Sequence, residues 1–400
     1  MDDWEVTILR TFEEIESIQY IWEQMQHNEP SAQIDADYDR YFSVLKAAGD
    51  NVQPYIILIK QKGHLKTIVI ARTETRQIAC RIGYLTILKP RMHCLSVVYG
   101  GILGQPDNEV CSFLVNELLR ILRSREIDMV FFSHLKMDSY IYQLSKKLPN
   151  ILSRDYFPNV EKHFCMSIPE NLEQFYMARS QKHRARLKRY VKRLEKEYPN
   201  SIKMITYSQE ADLDEAIKAA SGISRSTYQY GLGCGFTDDS KTRNLLTTVA
   251  RRGWLRLHIL YINNEPCAFE NWFQYNKAYV GHGIGFDPKW RKWRIGTILF
   301  LKTIERLSTD PTADLIDFGF GDAEYKRNYA DIKWQEASIC IFAPRFYPIC
   351  VNLLRTGIEA LNSALRYTVD KSGLTNRIKR LWRNRLENEN SENTHKKNNK

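Results

Sequence analysis

Three carboxylates, a phenol and an ammonium group fall within the ten residues Asp317-Phe-Gly-Phe-Gly-Asp322-Ala-Glu-Tyr325-Lys326. A carboxylate can take a proton, a phenol can give one, and an ammonium can hold a developing oxyanion. Asp322 fits either a base or a residue that orients Lys326. Lys326 fits either an oxyanion binder or one half of an internal ion pair that fixes the loop. His282 is a further candidate base. It sits out of phase with Gly281, Gly283 and Gly285 in an otherwise apolar run, and a packed strand histidine is the competing reading. Glu270 is a weaker candidate that could face solvent.

Between these groups lies a basic loop, Arg291-Lys-Trp293-Arg294-Ile295-Gly296-Thr297. A basic turn entering a helix offers backbone N–H groups and charge to a phosphate. A plain connecting turn is the alternative.

The elements around these residues read as strand, turn, strand, turn, strand, helix, strand, short helix, strand. Leu255–Ile262, Cys267–Phe273 and Ala278–Phe286 alternate between polar turns at Asn263-Asn264 and Asn276-Lys277. Asp287-Pro288 ends the third strand, because proline cannot donate to a ladder. Ile298, Leu301, Ile304 and Leu307 give the helix over 297–307 an apolar stripe. Leu315–Phe320 is a short strand, with Asp317, Gly319 and Gly321 expected on one face. Ala337–Phe342 closes the set.

This order, the loop ahead of the long helix, the Asp317–Lys326 run and Gly253-Trp254 before the hairpin together resemble the CelD-like GNAT acyltransferases. That family is associated with cellulose and other polysaccharide biosynthesis and is related to Fem-type peptidyltransferases, which carry two GNAT-like halves. The resemblance implies an α/β fold with mixed sheets, built as two tandem GNAT-like domains plus C-terminal helices. It implies transfer of an acyl group, acetyl or another, from acyl-CoA to a small amine, with no metal. The amine would belong to a sugar, a sugar nucleotide or an amino acid. It assigns the pyrophosphate to Arg291, Trp293, Arg294, Ile295, Gly296 and Thr297, and the chemistry to Asp317, Asp322, Tyr325, Lys326 and His282. Tyr325 would protonate the leaving thiolate. Arg294 departs from the family loop, which has glycine there, and either adds charge or blocks close backbone approach.

The 400 residues suggest about two domains. The first half repeats the element order of the second: a hairpin at 54–70, strands within 78–88 and 95–103, a helix over 109–123, a strand at 129–132, a helix at 140–148 and a strand at 164–168. Its helix entry, Gly104-Gln-Pro-Asp107-Asn-Glu109, is acidic where the second is basic, so the first half is not expected to hold a donor nucleotide. The expected division is 1–170, 171–345, a helical segment at 346–386 and a disordered tail at 387–400.

A net charge of +11 favours an anionic partner. Leu187, Val191, Leu194 and Tyr198 make a stripe on a helix whose other faces are basic from Arg179 to Lys196. Those charges suit a solvated surface, or a nucleotide, tRNA or lipid head group. The tRNA would serve a Fem-like transfer from aminoacyl-tRNA, and no DNA partner is expected. Gly231-Leu-Gly-Cys-Gly235 reads as a connecting loop. The eight cysteines are scattered and read as reduced core thiols, neither a disulfide frame nor a zinc site. The chain has no apolar run long enough to span a membrane and an acidic first segment, Met1-Asp-Asp, so a cytoplasmic location is expected. Val351, Leu354, Ile358, Leu361 and Leu365 are expected to dock a C-terminal helix on the core. Arg377–Arg385, basic around Ile378, Leu381 and Trp382, is expected to meet an anionic membrane on its inner face. A non-catalytic partner of an envelope polysaccharide machine is the reading from another class.

Overall fold

A computed structural model describes residues 4–371, apart from Pro30, Ser31, Tyr84, Leu232 and Cys234. The expectations for 377–385 and for 387–400 lie outside the described residues. In chain order the elements are β1 (Trp4–Leu9), α1 (Phe12–Glu16), α2 (Gln19–His27), α3 (Tyr38–Ala48), β2 (Val52–Gln61), β3 (His64–Gln77), β4 (Cys80–Ile82), β5 (Leu85–Leu88), β6 (Arg91–Leu103), α4 (Asn108–Arg123), β7 (Met129–Lys136), α5 (Tyr140–Lys147) and β8 (Asn159–Ser167). Then follow α6 (Leu172–Met177), α7 (Gln181–Glu197), β9 (Ile202–Tyr207), α8 (Leu213–Arg225), α9 (Tyr228–Gly231), α10 (Ser240–Arg251), β10 (Leu255–Ile262), β11 (Glu265–Tyr275) and β12 (Ala278–Phe286). The last are α11 (Ile295–Leu307), β13 (Leu315–Phe320), α12 (Glu324–Tyr329), β14 (Ile332–Phe342) and α13 (Phe346–Lys371).

The chain divides into one unit of residues 1–163 and 334–373, and another built on 164–333. This departs from the contiguous division expected at 170 and 345. Residues 334–342 serve the first unit because β7 needs an antiparallel neighbour, and β14 pairs with it from Glu336↔Lys136 to Phe342↔Met129. Nothing near β7 in sequence announces that partner.

In the first unit β1, β2, β3 and β6 form an antiparallel set. α4 then carries the chain over to β7, which lies parallel to β6. α4 buries Leu114, Val115, Leu118 and Leu122 against Ile57, Val69, Leu95 and Val130 of the sheet. Thr11 and Glu14 close a capping box at the start of α1, which ends at Glu16, and α2 begins at Gln19.

The second unit repeats the plan. β9, β10, β11 and β12 are antiparallel, and α11 crosses over to β13, parallel to β12. Ile298, Leu301, Ile304 and Leu307 of α11 are buried, as their spacing predicts. β9, α6 and α10 are additions to the expected elements.

α13 packs in an unexpected way. Val351 is buried, but Leu354, Leu361 and Leu365 of the proposed docking stripe are exposed. The helix is held by polar side chains instead. Asn352 Nδ2 donates to the carbonyls of Leu152 and Arg154. Arg355 pairs with Asp155 at 2.6 Å, and Asn362 bonds the backbone at Arg81 and Gly83.

Candidate active site

β12 and β13 pair over only three positions, Ala278↔Leu315, Tyr279↔Ile316 and Val280↔Asp317. Both strands continue, to Phe286 and Phe320, and the gap between them is a wedge open at the strands' C-terminal ends. The residues just past the ladder are irregular. Trp272 faces Gly281 and Asn271 faces Gly283, which leaves His282 as the extra residue of a β-bulge. On β13 the alternation expected through Gly321 ends early. Gly319 and Gly321 take φ of +67° and +89°, a conformation costly for any residue with a Cβ. Asp317 turns back to accept a 2.7 Å hydrogen bond from Gly319 N–H and is buried.

Above the wedge, Asp287 caps a tight turn over Pro288–Trp293. Arg294 follows in the left-handed region, φ 57° and ψ 38°, and is the N-cap of α11. A non-glycine residue there costs about 1 kcal/mol. The arginine therefore adopts the backbone shape that would suit glycine, while its exposed side chain reaches toward the Tyr190 ring at 6.0 Å. It makes no side-chain cap, so the N–H groups of the first turn of α11 are left to an outside acceptor. Arg193 and Lys292 approach the Trp293 ring at 4.7 and 5.0 Å and add charge beside the loop. α7, basic and largely exposed, flanks this loop.

Of the residues assigned to a donor, Arg291 and Arg294 are exposed, and Gly296 and Thr297 half-buried. Trp293 and Ile295 are buried in the core with Leu194, Trp290 and Leu299, so only their backbone is open to a ligand. A Cβ added to Gly296 would meet only Phe286 Cδ1, at 3.5 Å.

α12 places the remaining candidates apart. Asp322 is exposed and pairs with Arg327 at 2.5 Å. Lys326 is buried and donates to the Phe320 carbonyl. Asp322 thus has an ion-pair partner, Arg327, that the sequence reading did not include. Tyr325 is half-buried, edge-on to Phe318 at 6.0 Å. Tyr329, one turn on, went unnoticed in the sequence. Burial raises its pKa, opposed by a hydrogen bond with Thr297 and by the cations Arg179 and Arg186.

On the opposite side of β11 and β12 from α11 lies a cavity of about 380 Å³. His282 and Asn271 line it together with Thr227, Phe236, Thr237 and Thr242. Asn271 is 1% exposed and its Oδ1 has no hydrogen-bond partner among the described residues. A buried acceptor left in this state favours a ligand that brings a donor. Gly235 shapes the wall, since a Cβ there would fall 2.7 Å from Tyr230 Cα and 2.8 Å from Ser224 Oγ. His282 is exposed and stacks on Phe273 at 4.5 Å.

Glu270 faces away from this cavity, into the core under α11. It accepts from Thr303 Oγ1 at 2.8 Å and Trp272 Nε1 at 3.1 Å. Burial pushes its carboxyl up to about 7, against those two hydrogen bonds. His258, opposite it on β10, is driven down to about 3 by burial and by Arg306 and Arg256. Neither lies at the wedge.

Residues 181–327 match the family described as the acetyltransferase (GNAT) domain. The matched residues fall within the second unit. No curated protein sequence matches the chain. Among solved structures, FemX is similar with a TM-score of 0.54 at 9% identity, over 83% of this chain and 96% of that one. A conserved protein of unknown function from Bacteroides thetaiotaomicron VPI-5482 has a TM-score of 0.52 at 10% identity, over 81% and 97%. A tandem GNAT protein from the clavulanic acid biosynthesis pathway has a TM-score of 0.50 at 10% identity, over 86% and 100%. At such identities the likeness is one of fold, and the fold is two GNAT-like halves with C-terminal helical structure. Within the matched residues, the wedge and bulge bring His282 within a few residues of Asp317 across the β12–β13 ladder. Asn271 and the hydroxyls of the cavity were not found from sequence. The one signal was a polar residue at 271, on the face of β11 opposite to Glu270.

Proposed function

We propose that the protein is a GNAT-type N-acyltransferase that takes its acyl group from acyl-CoA at the second unit. The reading rests chiefly on the α11 entry, an uncapped helix N-terminus in a ring of cations directly above an open strand wedge. A diphosphate is stabilised by N–H groups and charge of this kind. An extended thioester arm can lie in the wedge and pair with backbone groups that the neighbouring strand leaves open.

In this reading the amine acceptor enters from the cavity beside His282. Asn271 Oδ1 accepts a hydrogen bond from it, and His282 takes the proton released as nitrogen attacks the thioester carbon. The tetrahedral oxyanion is held by backbone N–H groups at the β12 bulge. When the C–S bond breaks, Tyr325 donates its phenolic proton to the thiolate. Lys326, bound to Phe320, and Asp322, paired with Arg327, hold the loop beyond β13. Asp317 sets the turn at Gly319.

Titration calorimetry with CoA tests the donor site. Wild type should bind, and Gly296→Trp, whose side chain fills the approach to the first turn of α11, should not. Unchanged affinity in that variant would remove the loop from the donor site. A second reading, transfer from aminoacyl-tRNA, is favoured by the exposed basic row Lys182, Arg186, Arg189 and Lys192 on α7. Binding of tRNA without binding of CoA in the same assay would select it. The polysaccharide setting implied by the resemblance is a proposal about the acceptor, tested by acetylation of amino sugars against amino acids.

A further inference from the structure

α13 is amphipathic with its faces reversed. The side nearest the first unit carries Asn352, Arg355 and Asn362, and the two asparagines are 1% and 6% exposed. Each of the three hydrogen-bonds the backbone or Asp155. The other side presents Phe346, Leu353, Leu354, Leu361 and Leu365, from 39% to 86% exposed. Steps of seven, one, seven and four residues keep them on one face. The only charged residues between 346 and 365, Arg355 and Glu359, are off that face and half-buried. An ordinary surface helix turns its apolar stripe inward.

The apolar surface extends beyond the helix. The β4–β5 hairpin, bonded to Asn362, exposes Leu85, Ile87 and Leu88. The turn at Ile151–Ser153, bonded to Asn352, exposes Ile151 and Leu152. Exposed apolar side chains on three neighbouring segments are more than the single scattered residues of an ordinary surface.

We infer that this face of α13 lies on an anionic lipid bilayer. The chain that follows chooses the partner. Residues 372–385 contain five basic residues and no acidic one, with Ile378, Leu381 and Trp382 among them. An apolar helix face followed by a basic segment supplies the two signals that stable bilayer association requires. A second copy of a chain with net charge +11 would bring the same basic segment against itself. The helix lies in the surface: among the described residues no helix is long and apolar enough to cross a membrane.

The test is sedimentation of the full chain with phosphatidylcholine vesicles, with and without phosphatidylglycerol, at low and high salt. Wild type is expected to pellet with anionic vesicles at low salt, and about tenfold less with neutral ones or at high salt. The double variant Leu353→Glu/Leu361→Glu should lower the bound fraction about tenfold. Because both side chains point outward, its melting temperature and CoA affinity should be unchanged. Arg380→Gln/Arg383→Gln should reduce the dependence on anionic lipid. Wild type remaining in the supernatant with anionic vesicles would overturn the inference, as would a double variant that pellets like wild type. A self-association seen by sedimentation velocity and abolished by the double variant, without vesicle binding, would assign the face to a second copy and also overturn it.

Discussion

The two units meet the same strand-to-helix junction with opposite chemistry. In each, a parallel ladder stops after a few pairs, at Val97↔Phe132 in the first and Val280↔Asp317 in the second. In each, a bulge starts at that point, spanning 98–101 on β6 and Gly281–Gly283 on β12. The crossover helices differ. Asp107 caps α4, accepting from the N–H groups of Glu109 and Val110 at 2.9 Å. At α11 the capping position is Arg294, left-handed and with its side chain turned away from the turn. One helix end is satisfied by its own carboxylate, and the other is open to an anion.

The wedges differ too. In the first unit the space beyond the ladder is taken by an internal polar network. Tyr99 from the bulge reaches Glu336 Oε1 at 3.4 Å, and Trp334 Nε1 donates to the same oxygen at 2.5 Å. His134 contacts Glu161 at 3.1 Å. In the second unit the corresponding strand end has glycines at 319 and 321, and the bulge residue His282 is exposed beside a cavity. The same strand plan thus holds an internal polar network in the first unit and a bulge beside a cavity in the second.

The largest expected effect comes from giving the second junction the chemistry of the first. Arg294→Asp would supply a carboxylate cap to α11, and CoA affinity measured by calorimetry should fall about a hundredfold as charge and open N–H groups are lost together. Glu270→Gln probes the core under α11. Its folded pKa of about 7 lies above the ordinary carboxylate value of 4.5. The wild-type protein therefore loses stability as pH rises from about 4.5 through 7, because the unfolded chain ionises first. The variant should match wild type near pH 4.5 and exceed it by about 2–3 kcal/mol at pH 8 in urea titrations. Lys326→Met removes the donor to the Phe320 carbonyl and should cost about 1–3 kcal/mol. If transfer activity per folded molecule is kept, the lysine has no part in the chemistry. Smallest is Asp107→Ala, expected to cost about 1 kcal/mol in the same titration and to leave CoA affinity untouched. A CoA-bound structure with its diphosphate at Gly104–Glu109 would reverse the comparison entirely.

Element types were readable because they follow from spacing. Ile298, Leu301 and Ile304 announced the buried face of α11, and the two polar turns announced the hairpins. The basic loop was readable because its charges are local in sequence. The conformation of Arg294 was not, since arginine has no preference for positive φ, and the surrounding turn imposes it. The cavity escaped notice because Thr227, Thr237, Asn271 and His282 come from four segments that only the sheet brings together. The burial of Glu270 and Lys326 was not readable either. Alternation and helical phase say which residues share a face, and carry no sign of what that face will meet.

The sequence by itself determined the order of elements in both halves and the contrast between an acidic and a basic helix entry. Those depend on short-range properties: side-chain period, turn residues and charge. Tertiary structure decided that 334–342 completes the first unit and that α13 is held by its polar side. Each of those choices was made by a partner distant in the chain. For α13 the partners are backbone carbonyls at 81, 152 and 154, which every sequence has and none displays.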